Sequence, residues 1–425
     1  MKEMFLNSLS ATIYKTISAA IKVGLILLIT NLFGAENYGA YTFALSIFLF
    51  LNTIFRFGFD IHLQKKTVSI CNDNIGSCGK ILAQKNLFKT IAIVAPCLLF
   101  VSIILKIILA LNSFESLKFE YLNYIIFYSA FYAGMWLFAY YLRGIDKGKT
   151  SVFVLEIIFP VLNILLIILF KAFSVNPAFV LVHSYGLSVI ITLIIFILTE
   201  KLNFNSHIKN KIFNQSIFFD IKSALPFLLI SVSSMLMAWV DFFVISFFET
   251  DSQLGIYSVS TRLALFMLFP ASAIAIFFSN KLIVFYKNNQ VTEIKKYIKK
   301  ITLVLFLVSL FLFLFLNVFS TYILSLFGKE FIDGSLVLLF LTFGYMISAS
   351  LGSFETVLLM SEYKKRLFQI NLFVVLTNLF VNIPLVYFYG INGAAIGTLI
   401  SIVFNRFLQF KIIKNKILFR NETII

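Results

Sequence analysis

The sequence has few charged residues, and this scarcity decides the class of protein. Only 13% of its 425 residues are Asp, Glu, Lys or Arg, whereas a soluble chain has about 25%. Hydrophobic residues make up 60% of the chain, and the mean hydropathy is +0.97. Such a composition excludes an ordinary soluble domain and predicts a polytopic, all-α integral membrane protein.

Cysteine and histidine are also rare. The three cysteines lack metal-ligand spacing, and the three histidines are scattered along the chain. We therefore expect no metal site and no cofactor. Long polar segments are missing as well, so no part of the chain outside the membrane is long enough to form a soluble domain. We expect the protein to act inside the membrane.

Apolar windows of about 20 residues recur along the chain and predict transmembrane helices. The twelve predicted spans are Leu9–Phe33, Gly39–Ile61, Leu87–Leu111, Tyr121–Leu142, Ser151–Phe170, Ala178–Thr199, Ala224–Phe248, Gly255–Asn280, Ile301–Phe327, Gly334–Met360, Phe368–Tyr389 and Ile391–Phe410. Most of the 35 basic residues fall in connections on one side of the membrane. The positive-inside rule makes that side, with both termini, cytoplasmic. Because topology accounts for most of the net charge of +16, no nucleic-acid partner is expected.

The two halves of the chain resemble each other. A short acidic turn ending in Gly-x-Tyr joins spans one and two at Leu32–Tyr41, and a similar turn joins spans seven and eight at Phe247–Tyr257. Halves of six spans share one orientation and predict a parallel repeat, with two six-helix lobes around a central lumen. The predicted parts are an N-terminal lobe at 1–200, a cytoplasmic linker at 201–222, a C-terminal lobe at 223–413 and a cytoplasmic tail at 414–425.

Basic residues inside the spans are candidate substrate ligands, because a lysine at mid-membrane costs about 2.5–3.5 kcal/mol. Lys15 and Lys22 lie close to two helical turns apart, so they share one face of the first span. With Arg56 and Arg262, they form a set of cations at staggered depths. Such a set is typical of a path for an anion such as phosphate. Arg406 and Lys106 lie near span ends, where we expect their side chains to extend towards water.

Four acids also lie within the spans: Asp60, Glu156, Asp241 and Glu355. Two interpretations of these acids stay open. In the first they balance charge, as Asp60 would with Arg56 one turn away, and as Asp241 would with a lysine. In the second they couple transport to protons or to sodium ions.

Two motifs carry a resemblance to a known family: LFGAENYGAY at residues 32–41 and YGINGAAIGTLIS at residues 389–401. Both resemble patterns of Wzx-type O-antigen and capsule flippases, which are members of the multidrug/oligosaccharidyl-lipid/polysaccharide exporter superfamily. The resemblance implies alternating access and the flipping of undecaprenyl-pyrophosphate-linked oligosaccharide repeat units to the outer leaflet of the bacterial inner membrane. It also implies lumenal cations on spans one, two and eight, where Lys15, Lys22, Arg56 and Arg262 occupy similar places. Other expected partners are membrane lipids and polysaccharide assembly proteins.

Two rival functions were weighed against flipping. A cation-coupled drug exporter of the same superfamily would need acids facing its first cavity, but the first span has two lysines and no acid. A membrane-embedded glycan polymerase would need a large outer loop for its active site, and the predicted outer loops are very short. We therefore expect a transporter and not an enzyme.

Overall fold

A computed structural model describes residues 2–73, 77–111, 117–174, 176–200, 217–271, 291–360 and 363–414. Every secondary-structure element in these residues is helical, which confirms the predicted all-α class. The chain divides into two compact units, Met1–Leu236 and Met237–Ile425, called here the N-terminal and C-terminal units.

The N-terminal unit is built from helices of very different length. In chain order they are α1 (Lys2–Phe55), α2 (Phe59–Asp73), α3 (Ser77–Leu111), α4 (Leu117–Ile125), α5 (Ser129–Gly144), α6 (Gly148–Phe153), α7 (Phe159–Phe173), α8 (Pro177–Thr199) and the first part of α9 (Ile217–Phe248). A 3₁₀ turn at Ile126–Tyr128 joins α4 to α5, and a π-helical turn at Val154–Ile158 joins α6 to α7. Aromatic rings such as Tyr121, Phe138 and Tyr141 are fully buried in this unit.

The C-terminal unit begins within α9. It continues with α10 (Asp251–Ala264), α11 (Val291–Val318), α12 (Ser320–Ser325), α13 (Ser335–Ser350), α14 (Gly352–Met360) and α15 (Lys364–Ile413). The 3₁₀ turns Leu265–Leu268 and Lys329–Gly334 follow α10 and precede α13, respectively. Large apolar side chains remain on the surface of both units, including Phe173 at 82% and Phe247 at 85% exposure, as expected for helices that contact lipid.

Two long helices are each broken at a glycine. Gly34 in α1 has φ 76° and ψ 177°, and Gly390 in α15 has φ 59° and ψ −140°. Residues other than glycine rarely adopt such backbone angles. A helix of 50 residues would extend about 75 Å, much longer than the bilayer core of about 30 Å. Both breaks lie within the two motifs that carried the family resemblance.

The helices confirm a multi-pass membrane protein. Among the described residues, nine helices are long and apolar enough to cross a membrane, and a bent pair, Ser223–Ser233 and Ala238–Phe248, provides a tenth candidate. The predicted number of twelve spans stays a prediction, as do the lobe boundaries.

Several predicted spans end or break differently in the structure. Span nine was expected to run from Ile301 to Phe327, but α11 ends at Val318 and α12 begins at Ser320. Span two was expected to continue to Ile61, but α1 ends at Phe55 and a short turn precedes α2. In this turn Gly58 lies against α9, where an added Cβ would come within 2.4 Å of the backbone nitrogen of Leu228. Span ten was expected to be one helix, but it breaks between α13 and α14 at Leu351. Hydropathy does not report either break. The turn at Gly58 is fitted to a tertiary contact with α9, and the break at Leu351 has apolar residues on both sides.

Candidate functional site

Lys22 on α1 forms an ion pair with Glu156, which lies 134 residues further along the chain. Lys22 Nζ is 2.6 Å from Glu156 Oε2, and Ser18 Oγ donates to the same oxygen at 2.7 Å. Ser18 and Lys22 are four residues apart, so one face of α1 presents both donors. The lysine side chain is 51% exposed and the glutamate side chain 31% exposed, whereas Ser18 is buried. The pair is therefore accessible from outside the unit.

Glu156 lies in the π-helical turn between α6 and α7. Pro160, four residues later, has no N–H and cannot donate the α-helical hydrogen bond to the Glu156 carbonyl. The N–H of Phe159 instead donates to the carbonyl of Val154, five residues earlier. π-helical turns of this kind occur frequently at functional sites.

Arg56 is buried at the end of α1, where the chain turns into α2. Its Nη1 lies 3.3 Å from Asp60 Oδ2, and both side chains are at most 10% exposed. Its Nε donates to the carbonyl of Asn52 at 3.1 Å, and its guanidinium lies 5.5 Å from the ring centre of Trp136. The predicted pairing of Asp60 with Arg56 is therefore present in the structure.

Arg262 on α10 has a similar aromatic neighbour. Its guanidinium lies 5.2 Å from the ring centre of Trp239, which is buried. The chain has two tryptophans, and each lies next to one of the intramembrane arginines. Cation–π contact stabilises a guanidinium away from bulk water. These contacts were not predicted from the sequence, because each tryptophan is far from its arginine along the chain.

Asp241 on α9 accepts hydrogen bonds from neutral groups. Tyr257 Oη donates to Oδ2 at 2.9 Å, and Thr398 Oγ1 donates to the same oxygen at 2.6 Å. Asn382 Nδ2 donates to Oδ1 at 2.5 Å and also to Oδ1 of Asn378. No lysine or arginine in the described part of the chain forms an ion pair with this carboxylate. The expected neutralisation by a lysine is therefore not seen there.

The surroundings of Asp241 are rich in oxygen atoms. Asn382 is fully buried, and within the described part of the chain its Oδ1 has no hydrogen-bond partner. Oxygen atoms of carboxylates, amides and hydroxyls are the ligands that hard cations such as sodium prefer. We call Asp241, Asn378, Asn382 and Thr398 the Asp241 cluster. From the sequence, Asp241 was a candidate site residue, whereas the other three members of the cluster were not named as candidates.

The remaining candidates are a pair of charges and a lysine. Glu355 on α14 binds Arg406 on α15, with 3.0 Å between Oε2 and Nη1. Arg406 Nη2 also donates to Ser348 Oγ at 2.7 Å, and its side chain is only 12% exposed. The expectation that Arg406 extends to water was wrong, because its side chain is mostly buried against Glu355 and Ser348. These two partners lie 51 and 58 residues away in sequence, so the sequence pattern did not indicate them. Lys15 lies in α1, but its side chain is outside the part that the structure describes.

The family described as polysaccharide biosynthesis protein matches residues 5–277, which is well over half of the chain. The chain belongs to this family. No curated protein matches the sequence. The predicted membership in the exporter superfamily is thereby confirmed, together with the resemblances in fold given next.

This member of the polysaccharide biosynthesis family shares its fold with solved transporters. The lipid II flippase MurJ, in an inward closed conformation, has a TM-score of 0.73 and 16% identity, over 95% of this chain and 87% of its own. An inward-facing MATE family multidrug resistance transporter has a TM-score of 0.68 and 16% identity, over 94% and 98%. The Vibrio cholerae MATE transporter VcmN, in its bent form, has a TM-score of 0.56 and 15% identity, over 96% and 95%. At such identities the likeness shows the fold alone.

Proposed function

We propose that this protein flips undecaprenyl-pyrophosphate-linked oligosaccharide repeat units, of O-antigen or capsule type, from the cytoplasmic to the outer leaflet of the inner membrane. The observation that carries the proposal is Lys22, a half-exposed cation on a membrane helix of a polysaccharide biosynthesis family member. Its ammonium group presents three N–H donors, which suit the oxygen atoms of a diphosphate. One relative in fold is named a lipid II flippase, which supports a lipid-linked substrate.

The other cations extend this assignment. We propose that Lys15, Arg56 and Arg262 bind or attract the same diphosphate at other stages of transport. Arg56 and Arg262 each lie beside a tryptophan, so their charges are held in place without free rotation of the side chain. Alternating access would present these cations in turn to the two sides of the membrane.

The topology that we propose has twelve crossings with both termini in the cytoplasm. Nine candidate helices, the bent pair and a second crossing in each of the two glycine-broken helices make twelve. We propose six-helix lobes at 1–200 and 223–413, joined by a cytoplasmic linker at 201–222 and followed by a tail at 414–425. The concentration of basic residues in alternate connections supports this orientation.

Asp241 is our candidate for ion coupling. Its carboxylate bonds only to neutral donors in the described part of the chain, and Asn382 Oδ1 adds an unpartnered oxygen beside it. A proton or a sodium ion stabilises a buried carboxylate that has no cationic partner, because its negative charge is then neutralised. Glu156, Asp60 and Glu355 each already pair with a basic side chain, so we assign them to charge balance in the state described here.

Export of a cationic small molecule is the second candidate function. MATE multidrug transporters are among the relatives in fold, and Asp241 provides the kind of acid that a cationic cargo would need. The two candidates differ in which charge contacts the cargo. Lys22 would be essential to a flippase of anionic lipids, whereas it would oppose a cation.

Surface polysaccharide in the source bacterium tests the proposal. Lys22→Ala and Arg262→Ala should each abolish surface polysaccharide while the protein remains in the membrane at its normal level. Lys106→Ala is the matched control, because Lys106 is also an exposed lysine of a membrane helix and plays no part in the proposed path. Normal polysaccharide in both test variants would refute the assignment. Intact polysaccharide with altered drug resistance would favour the exporter.

A further inference from the structure

Lys22 is held by an anion of the protein itself, although it is the most accessible of the described candidate cations. Glu156 Oε2 lies 2.6 Å from its ammonium nitrogen, at the distance of a charge-assisted hydrogen bond. We propose that Glu156 is an internal substitute for the substrate phosphate: it occupies Lys22 while no substrate is bound, and a diphosphate displaces it. This inference rests on the proposed function and adds a residue that determines which anions are accepted.

The exposure of the pair makes the exchange feasible. With side chains that are 51% and 31% exposed, Lys22 and Glu156 can be approached without unfolding of the surrounding helices. The Arg56–Asp60 pair of the same unit is at most 10% exposed and cannot be approached in this way. Partly exposed ion pairs are weaker than buried ones, so an incoming anion has less to overcome here than at the Arg56–Asp60 pair.

The chemistry favours a diphosphate over a carboxylate. Both groups offer oxygen acceptors to the same ammonium donors, but a diphosphate diester carries two negative charges and Glu156 carries one. The attraction to Lys22 is therefore stronger for the diphosphate. A singly charged lipid would gain little over the glutamate that is already present. Glu156 would thus act as a filter against anions of low charge.

Glu156 keeps a hydrogen bond to Ser18 after a diphosphate has replaced it at Lys22. Ser18 Oγ donates to the same oxygen at 2.7 Å, so the carboxylate keeps one donor when Lys22 turns to the substrate. The π-helical turn at Val154–Ile158 is a second feature of this position, and turns of this kind are frequent at functional sites.

Binding of inorganic pyrophosphate to the purified full-length protein tests this inference. Glu156→Gln keeps the size of the side chain and its contact with Ser18 but removes the charge. We expect it to tighten pyrophosphate binding about fivefold, the upper end for release of a half-exposed ion pair. Lys22→Gln should abolish the gain when combined with Glu156→Gln. Inorganic monophosphate should gain at least as much as pyrophosphate, because Glu156 excludes anions of low charge most strongly in the wild type, and high salt should reduce both gains.

The opposite results would overturn the inference. If Glu156 merely orients Lys22, Glu156→Gln will weaken pyrophosphate binding or leave it unchanged. Glu156→Asp guards against loss of folding, because a shorter acid should give a smaller gain than the amide. Absence of pyrophosphate binding in wild type and Glu156→Gln alike would also overturn it. The proposed function is tested separately, because surface polysaccharide lost in Lys22→Ala cells would uphold that function even then.

Discussion

The two ion pairs of the N-terminal unit differ in how the chain holds them. Arg56 and Asp60 are one helical turn apart in sequence, and burial at the α1–α2 turn removes both from solvent. Lys22 and Glu156 come from distant segments, and both stay partly exposed. In the state described here, burial closes the first pair to an incoming anion, so Arg56 would have to become accessible at another stage of transport. The second pair resembles a contact that can exchange its partner. Intramembrane charges of one protein therefore need not share one role.

Removal of one member from each pair should separate them most strongly. Asp60→Ala leaves the buried guanidinium of Arg56 without its carboxylate, and we expect the free energy of unfolding to fall by about 3–5 kcal/mol. Glu156→Ala removes a half-exposed partner, and we expect a loss of less than about 1 kcal/mol. Unfolding of both variants in detergent is the measurement. Equal losses would show that the two pairs do not differ in the way described.

The Asp241 cluster sharpens the comparison, because no lysine or arginine among the described residues forms an ion pair with its carboxylate. Asp241→Asn keeps the shape but removes the charge that a proton or sodium ion would bind. We expect substrate transport driven by an ion gradient to fall at least about tenfold, or about 1.4 kcal/mol. Thr398→Ser is the matched control, since it keeps the hydroxyl that donates to Asp241. Unchanged ion dependence in Asp241→Asn would exclude the cluster as the coupling site.

A smaller loss of stability than that of Asp60→Ala is expected at Arg262 in the C-terminal unit. Like Arg56 it lies beside a tryptophan, but its described contacts include no carboxylate within ion-pair distance. Arg262→Gln should therefore lower the free energy of unfolding by only about 0.5–2 kcal/mol, the range of a cation–π contact. Thermal unfolding in detergent measures this loss. Trp239→Phe is the control, because it keeps an aromatic ring beside Arg262. A loss as large as that of Asp60→Ala would reveal a buried counter-ion.

Local patterns in the sequence predicted most of the fold. Apolar runs predicted membrane helices, and the breaks at Gly34 and Gly390 fall in motifs that were recognised beforehand. The turn at Gly58 was missed, because it depends on the approach of α9 and leaves no trace in hydropathy.

The candidate site was predictable only where partners are near in sequence. Arg56 and Asp60 are one turn apart, so their pairing was one of the two interpretations that the sequence left open. The pairing of Lys22 with Glu156, and of Arg406 with Glu355, joins residues 134 and 51 positions apart and requires the tertiary structure. The tryptophans beside the arginines were missed for the same reason.

Flipping by the purified protein in liposomes tests the central claim most directly. The substrate would be an undecaprenyl-diphosphate oligosaccharide with a fluorescent label on its sugar, and a membrane-impermeant quencher would report which leaflet holds the sugar. We expect rapid exchange of the label between leaflets with the wild type and with Lys106→Ala. With Lys22→Ala we expect exchange at least about tenfold slower. Exchange by Lys22→Ala at the wild-type rate, or by wild type at the rate of protein-free liposomes, would contradict it.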